Sequence, residues 1–213
     1  MSEQSRVNRP VGPQQPAVEI VERRTCYQGF FRMEHFRLRH RLYNGEMSPV
    51  MSRELFERGH AAAVLPYDPA LDRIVLLEQF RIGALEERGG PWLLEIVAGM
   101  IETGESAPEV IAREMQEEAG CSLLALEPIC EYLVSPGGTS ERISLYCGRV
   151  DASGVGGIHG LPEEGEDIRV STVSYAEAMI LLREGRINSA SPIIALQWLE
   201  LNRDRIRQKW GLE

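Results

Sequence analysis

The sequence predicts an α/β or α+β domain in which a mixed β-sheet is sandwiched between helices, and three observations support that class. Residues 61–68 and 73–80 are apolar runs joined by a proline-containing turn, as in a buried hairpin. Four later segments have strand-like patterns: 91–99, 122–134, 142–150 and 167–175. Helix patterns lie between and after them, and this alternation is typical of a sheet covered by helices.

Three helices are predicted from capping residues and apolar periodicity. The first begins after Ser106, which forms a capping box with Glu109, and ends at Gly120. The other two span Tyr175 to Gly185 and Ser191 to Trp210.

The block from Ala17 to Glu57 has a different character. Its alternating run from Gly29 to Met47 contains an Asn44-Gly45 turn signal, which indicates a small antiparallel sheet. Both faces of its strands carry apolar and charged groups. A sheet of this size cannot bury itself, so we expect it to pack on something else, such as a second subunit.

These patterns divide the chain into three parts. Residues 1–15 are polar and rich in proline, which predicts a flexible tail. Residues 16–57 are expected to form an N-terminal β-sheet dimerisation domain, and residues 58–213 the main domain.

Charge and composition exclude several classes of function. The formal net charge is −9, which disfavours nucleic-acid binding and anionic membranes. No apolar run has the length of a membrane span, and the N-terminus lacks the apolar segment of a signal peptide. We therefore expect a cytoplasmic protein without membrane or nucleic-acid partners.

Cysteine and histidine spacings do not suggest a metal site. The cysteines are expected to be buried free thiols, since their spacings match neither a zinc site nor a CxxC pair: Cys26, Cys121, Cys130 and Cys147. The histidines are interpreted as structural: His35, His40, His60 and His159.

The first helix carries an unusual concentration of acid. Glu114, Glu117 and Glu118 cluster on one arc, beside an apolar stripe, and like charges at such spacing repel. Arg113 lies four residues before Glu117 and can hold its carboxylate. A solvated acidic face is one interpretation. The other is a site for a hard divalent cation, because Mg²⁺ tends to pair one or two carboxylates with substrate phosphates.

The spacing around this helix resembles the Nudix box, G-x5-E-x7-R-E-U-x-E-E-x-G-U, where U is apolar. Gly99, Glu105 and the run from Arg113 to Gly120 match every fixed position, and Cys121 stands where a larger aliphatic residue is usual. The resemblance implies a hydrolase that cuts a nucleoside diphosphate linked to another group. It also implies the Nudix fold, with a metal-binding loop-helix-loop set against a mixed sheet.

Flanking segments resemble the bacterial ADP-ribose pyrophosphatases over most of Gly29 to Leu201. They include LLEQFRIGA, PWLLEIVAGMIETGES, SPGGTSER and GIHGLPEEGEDI. In that subfamily a proline about fifteen residues after the box marks the substrate, and Pro136 stands fifteen residues after Cys121.

The resemblance implies catalytic and metal-binding roles. The implied metal ligands are the backbone carbonyl of Ala98 and four carboxylates: Glu114, Glu117, Glu118 and Glu166. The base would come from a loop after the sheet, where Glu164 is the matching residue, although Glu163 and Glu166 are close enough to be confused with it. Glu117 and Arg113 would support catalysis. The loop could also be a plain solvated acidic segment.

Substrate contacts are implied at six positions. Arg81 would contact a phosphate, and Phe30 and Arg53 would enclose the adenine. Three residues would lie near the terminal ribose: Met100, Ser135 and Glu141. Each has an ordinary alternative, such as a surface arginine, a core aromatic or an ion-pair partner.

Together these patterns predict a homodimer with exchanged N-terminal sheets. It would use Mg²⁺, or Mn²⁺ or another divalent cation, to split ADP-ribose into AMP and ribose 5-phosphate. One alternative substrate is another nucleoside diphosphate sugar, such as GDP-mannose. A further alternative is a sensor that binds ADP-ribose without cutting it.

Overall fold

The computed structural model describes residues 17–211, apart from the side chain of Glu164. The flexible tail predicted for residues 1–15 lies outside the described residues. The chain separates into two compact units. The first runs up to Arg58 and also takes in Gly137–Thr139, and the second contains Gly59–Pro136 and the chain from Ser140 onward.

The first unit contains a three-stranded antiparallel sheet in the order β1-β2-β3. Its strands are β1 (Val18–Gln28), β2 (Arg32–His40) and β3 (Met51–Glu57). The predicted Asn44-Gly45 turn lies between β2 and β3, where Gly45 has a φ of 92° that favours glycine.

The second unit is built on a mixed sheet in the order β10-β11-β5-β4-β9-β8. Its central strand β4 (Ala61–Asp68) pairs antiparallel with β5 (Arg73–Phe80) and parallel with β9 (Arg142–Arg149). The outer strands are β8 (Ala125–Leu133), β10 (Gly157–His159) and β11 (Ile168–Ser174). All eight residues of β4 are buried, as the apolar pattern of the predicted hairpin requires.

One predicted strand is in fact two. Residues 91–99 were expected to form a single strand, but β6 (Trp92–Glu95) pairs with β5 and β7 (Val97–Met100) pairs with β4. The paired positions of β4 and β5 lie only beside their turn, at Tyr67 with Ile74 and at Asp68 with Arg73. The two strands then take different partners, and the chain passes from one to the other at the buried Ile96.

The predicted helices are present with nearly the expected bounds. They are α1 (Ala107–Glu117), α2 (Tyr175–Arg183) and α3 (Ala190–Lys209). The capping box of Ser106 and Glu109 begins α1. Buried Ile111 and Met115 of α1 pack on one face of the sheet, while α2 and α3 cover the other face. The predicted sheet between helices is therefore confirmed.

Two further sequence expectations have clear outcomes. All four cysteines are free thiols; Cys121 and Cys147 are buried, but the prediction was wrong for Cys26 and Cys130, which are exposed on β1 and β8. Among residues 17–211, no helix combines the length and the apolar character needed to cross a membrane.

Candidate active site

The acidic arc of α1 lies against the backbone of β7. At Gly99 a Cβ atom would stand 1.9 Å from Glu114 Oε1 and 2.3 Å from its Cδ. Such distances are never tolerated, so any side chain at this position would displace the carboxylate. The glycine of the box is therefore needed for the close approach of Glu114 to the strand.

Glu118 lies next to it and is almost fully buried, with 2% of its surface exposed. Its Oε2 accepts a hydrogen bond from the Ala98 N–H at 3.0 Å. The pKa of Glu118 is raised to about 8, chiefly by burial and also by the charges of Glu114 and Glu166, while the Ala98 hydrogen bond and the charge of Arg81 oppose the change. This carboxyl is thus held where negative charge is unfavourable.

Arg113 connects the other acidic side chains. Its Nη1 donates to Glu114 Oε1 at 2.8 Å and to Glu117 Oε2 at 3.0 Å, and its Nε lies 3.5 Å from Glu105 Oε1. The pKa of Glu114 is raised, chiefly by burial and also by the charges of Glu117 and Glu166, although Arg113 opposes the change. Arg113 and three fixed glutamates of the box, Glu105, Glu114 and Glu117, therefore belong to one network.

The loop before β11 reaches the same cluster. The Gly160 N–H donates to the Glu117 carbonyl at 3.1 Å, so the loop is anchored to the end of α1. Glu166 Oε2 accepts from the Leu161 N–H at 3.0 Å, and the Glu166 charge raises the pKa of Glu114 as well as that of Glu118. Glu163 is exposed. The side chain of Glu164, the predicted base, lies outside the described residues.

Arg81 brings positive charge to the cluster, since it lowers the pKa of Glu118. Its Nε donates to Glu95 Oε2 at 2.7 Å, and the side-chain amide of Gln79 reaches the same oxygen at 3.4 Å. Sequence reasoning missed Glu95 and Gln79. The alternation of side chains along a strand could have placed Gln79 on the same face as Leu77. Only the pairing of Leu77 with Glu95, which the sequence does not show, places Glu95 beside it.

The three residues predicted near the terminal ribose lie at one end of the sheet. Ala61 of β4 pairs with Met100 on one side and with Ile143, two residues after Glu141, on the other. Glu141 is buried, whereas Ser135 is exposed just after β8. The predicted adenine contacts, Phe30 and Arg53, are exposed residues of the first unit; Phe30 has 89% of its surface exposed.

The acidic cluster is not arranged as a ready-made metal centre. Among the side chains that the structure describes, which exclude that of Glu164, no three from histidine, cysteine or acidic residues converge on one metal position. Glu114 faces Arg113 and Glu118 faces the Ala98 N–H, so these oxygens are occupied by protein donors. A cavity of about 370 Å³ at the end of α1 is lined by other residues, including Gly120 and His159, and contains none of these carboxylates.

Comparison with known proteins agrees with this geometry. The family model described as the NUDIX domain matches residues 57–196. The chain belongs to the Nudix family. The "ADP-ribose pyrophosphatase" of Escherichia coli (strain K12) is 51% identical over 204 residues, which cover 96% of this chain and 98% of the relative.

More distant relatives carry the same printed activity or a different one. The "ADP-ribose pyrophosphatase" of Haemophilus influenzae is 44% identical, with 92% of each chain covered. The "GDP-mannose pyrophosphatase" of Cronobacter sakazakii is 33% identical and covers 86% of this chain and 95% of its own. A solved structure described as an ADP compounds hydrolase has a TM-score of 0.68 and 21% identity over 92% of this chain and 100% of its own, a likeness of fold.

Proposed function

We propose that this chain hydrolyses the pyrophosphate bond of ADP-ribose, releasing AMP and ribose 5-phosphate, with a divalent metal ion as cofactor. The observation that carries the proposal is the placement of Glu114 and Glu118 against the backbone of Gly99 and Ala98. The substrate is inferred from the relatives. Those that are 51% and 44% identical to this chain, over 96% and 92% of its length, are ADP-ribose pyrophosphatases.

The side chains of the cluster fit a divalent cation in charge and in ligand type. The charges of Glu114 and Glu166 oppose ionisation of Glu118, so a cation at this place would relieve their repulsion. Carboxylate and carbonyl oxygens are the ligands preferred by Mg²⁺ and also suit Mn²⁺. We assign Glu114, Glu118 and Glu166 as ligands, with support from Glu117 and the Ala98 carbonyl. When bound, the ion would offset substrate charge and lower the pKa of a bound water.

Within this proposal, Arg113 and Gly99 control the positions of the carboxylates. Arg113 holds Glu114 and Glu117 by hydrogen bonds of 2.8 and 3.0 Å. Its pKa is raised by Glu114 and Glu117, so it stays charged at any working pH. Because Gly99 has no side chain, the Glu114 carboxylate can lie beside the strand.

Glu164 is proposed as the general base that accepts a proton from the attacking water. The anchoring of its loop to α1 through Gly160 supports the assignment, since a carboxylate on this loop begins close to Glu117. Arg81 is proposed to contact a phosphate. Phe30 and Arg53 are proposed as adenine contacts, and the three residues at the end of the sheet as ribose contacts: Met100, Ser135 and Glu141.

The same chain is proposed to act as a homodimer with exchanged N-terminal sheets. Every residue of β1 is exposed, and that strand displays Ile20 and Tyr27 with 58% and 67% of their surfaces exposed. Apolar side chains in such number on one strand are typical of a surface that another chain covers.

A substrate screen tests this function. Purified protein with Mg²⁺ would be incubated with ADP-ribose, GDP-mannose and other nucleoside diphosphate sugars, and the products identified by mass spectrometry. We expect the highest kcat/KM on ADP-ribose, with AMP and ribose 5-phosphate as products. A higher value on GDP-mannose would favour the activity of the 33% identical relative. Binding of ADP-ribose without any hydrolysis would instead identify a sensor.

A further inference from the structure

The two arginines beside the acidic cluster differ in how many of their donors are used. Arg113 contacts three carboxylates, those of Glu105, Glu114 and Glu117. Among the described side chains, that of Arg81 has one hydrogen-bonded partner, Glu95, and uses its Nε for it. The terminal amines of Arg81 are therefore left for an incoming anion, because a guanidinium carries five N–H donors.

Glu95 is placed to control the direction of Arg81. It pairs with Leu77 in the sheet, so its side chain shares a face with Gln79 on β5 and lies beside Arg81, which directly follows that strand. Its side chain is 15% exposed, whereas that of Arg81 is 44% exposed. Gln79 is buried and its amide reaches the same Glu95 oxygen at 3.4 Å. A mostly buried carboxylate thus holds the inner end of a more exposed cation.

We propose that Glu95, steadied by Gln79, is a positioning residue that directs the terminal amines of Arg81 toward a phosphate of the substrate. The inference rests on the proposed function, because it takes the ligand to be a nucleoside diphosphate. The charge of Arg81 lowers the pKa of Glu118, so an anion bound by these amines would lie near the acidic cluster.

This arrangement has a physical advantage. An arginine side chain loses considerable rotamer freedom when it binds, and a side chain that is already held loses less. Because Glu95 engages the Nε, it orders the guanidinium plane and leaves the two terminal amines free for a bidentate contact. A carboxylate bound across those amines would instead compete with the phosphate.

A double-mutant cycle separates positioning from general stability. Arg81→Ala should lower kcat/KM for ADP-ribose by about 100-fold, and Glu95→Gln by about tenfold. In the Arg81→Ala background, Glu95→Gln should change kcat/KM by no more than about twofold, because the residue acts through Arg81. Glu95→Asp keeps the charge but shortens the reach, so it should resemble Glu95→Gln.

Glu78→Gln is the matched control. Glu78 lies on the same strand as Gln79, on the opposite face, and pairs with Arg169. This variant should keep the wild-type kcat/KM. Melting temperatures of all variants would be measured alongside.

Two results would overturn the inference. Equal losses from Glu95→Gln in both backgrounds would show a structural role, and a gain in kcat/KM would show that Glu95 competes with the substrate for Arg81. Either result in an enzyme that cleaves ADP-ribose leaves the proposed function intact. A wild-type protein that does not cleave ADP-ribose contradicts the proposed function itself.

Discussion

The central strand of the second unit and the first strand of the first unit are opposites. All eight residues of β4 are buried, while all eleven residues of β1 are exposed. Among the described residues of the first unit, the buried ones are Glu34 and Ser48, both polar. Since apolar burial is the main favourable term in folding, the second unit contains its own source of stability and the first does not.

Each unit contains a buried glutamate, and the pKa values of the two are shifted in opposite directions. Arg23 lowers the pKa of Glu34 by a side-chain hydrogen bond of 2.9 Å, and Thr25 and Arg32 add to the effect. The pKa of Glu118 is raised to about 8, chiefly by burial and also by neighbouring acids. A fully compensated carboxylate suits a structural ion pair. One whose pKa stays raised despite such partners is typical of a functional site.

The largest expected effect comes from removing the first unit. A protein lacking residues 1–57 should be insoluble or inactive, because we propose that these residues form the dimer interface and contribute Phe30 and Arg53 to the substrate site. Removal of residues 1–15 alone is the control and should leave activity unchanged. Light scattering and kcat/KM on ADP-ribose provide the measurements. A soluble, monomeric and fully active residue 58–213 protein would contradict the dimer proposal.

The next largest effect is expected at the uncompensated carboxylates. Glu114→Gln or Glu118→Gln should lower kcat by roughly a thousandfold or more, because stabilisation of developing charge is usually the largest catalytic contribution. Folding, followed by circular dichroism, should be retained. Glu87→Gln is the control, because Glu87 is exposed and is not part of α1. This variant should behave as wild type. Near-normal turnover of Glu114→Gln or Glu118→Gln at saturating Mg²⁺ would exclude α1 from the mechanism.

A smaller loss is expected on the loop anchored to α1. Glu164→Gln should reduce kcat by about 100-fold, the scale of general-base catalysis, with little change in KM. Glu163→Gln should be mild, and Glu166→Gln intermediate because that carboxylate is a proposed metal ligand. Steady-state kinetics on ADP-ribose give the order of the three. A greater loss in Glu166→Gln than in Glu164→Gln would place the base two residues later.

The smallest expected effect is on stability, and it has opposite signs at the two buried glutamates. The raised pKa of Glu118 means that the folded, metal-free protein binds more protons than the unfolded chain between the ordinary glutamate pKa and about 8. Stability should therefore fall as pH rises through this window, by at most about 1.4 kcal/mol per pH unit. Glu118→Gln should flatten that slope in chelator-treated protein.

Glu34 provides the comparison. Its lowered pKa contributes stability that is present above the unfolded glutamate pKa and is lost as pH falls through the folded pKa. Glu34→Gln should therefore lose stability at neutral pH and lose less than wild type on acidification. Urea unfolding from acidic to mildly alkaline pH measures both slopes. A Glu118→Gln slope equal to that of wild type would show that Glu118 is ionised in the apo protein at neutral pH.

Much of the fold could be predicted from local patterns. The capping box of Ser106 and Glu109 and the turn at Asn44-Gly45 are short-range signals, and both are present in the structure. The division of residues 91–99 into β6 and β7 could not be predicted, because it depends on which strands β4 and β5 leave unpaired. Strand β10 has three residues, too few to show a period of two.

The sequence by itself determined that Glu114, Glu117 and Glu118 share one arc of a helix, since the helical period decides that without any other element. Only the tertiary structure decided what faces them. It brought Gly99 and Ala98 against the carboxylates, joined the Gly160 loop to the end of α1, and placed Arg81 within hydrogen-bond distance of Glu95. These contacts join residues distant in the chain, and strand register and helix packing, rather than local propensity, determine which side chains meet.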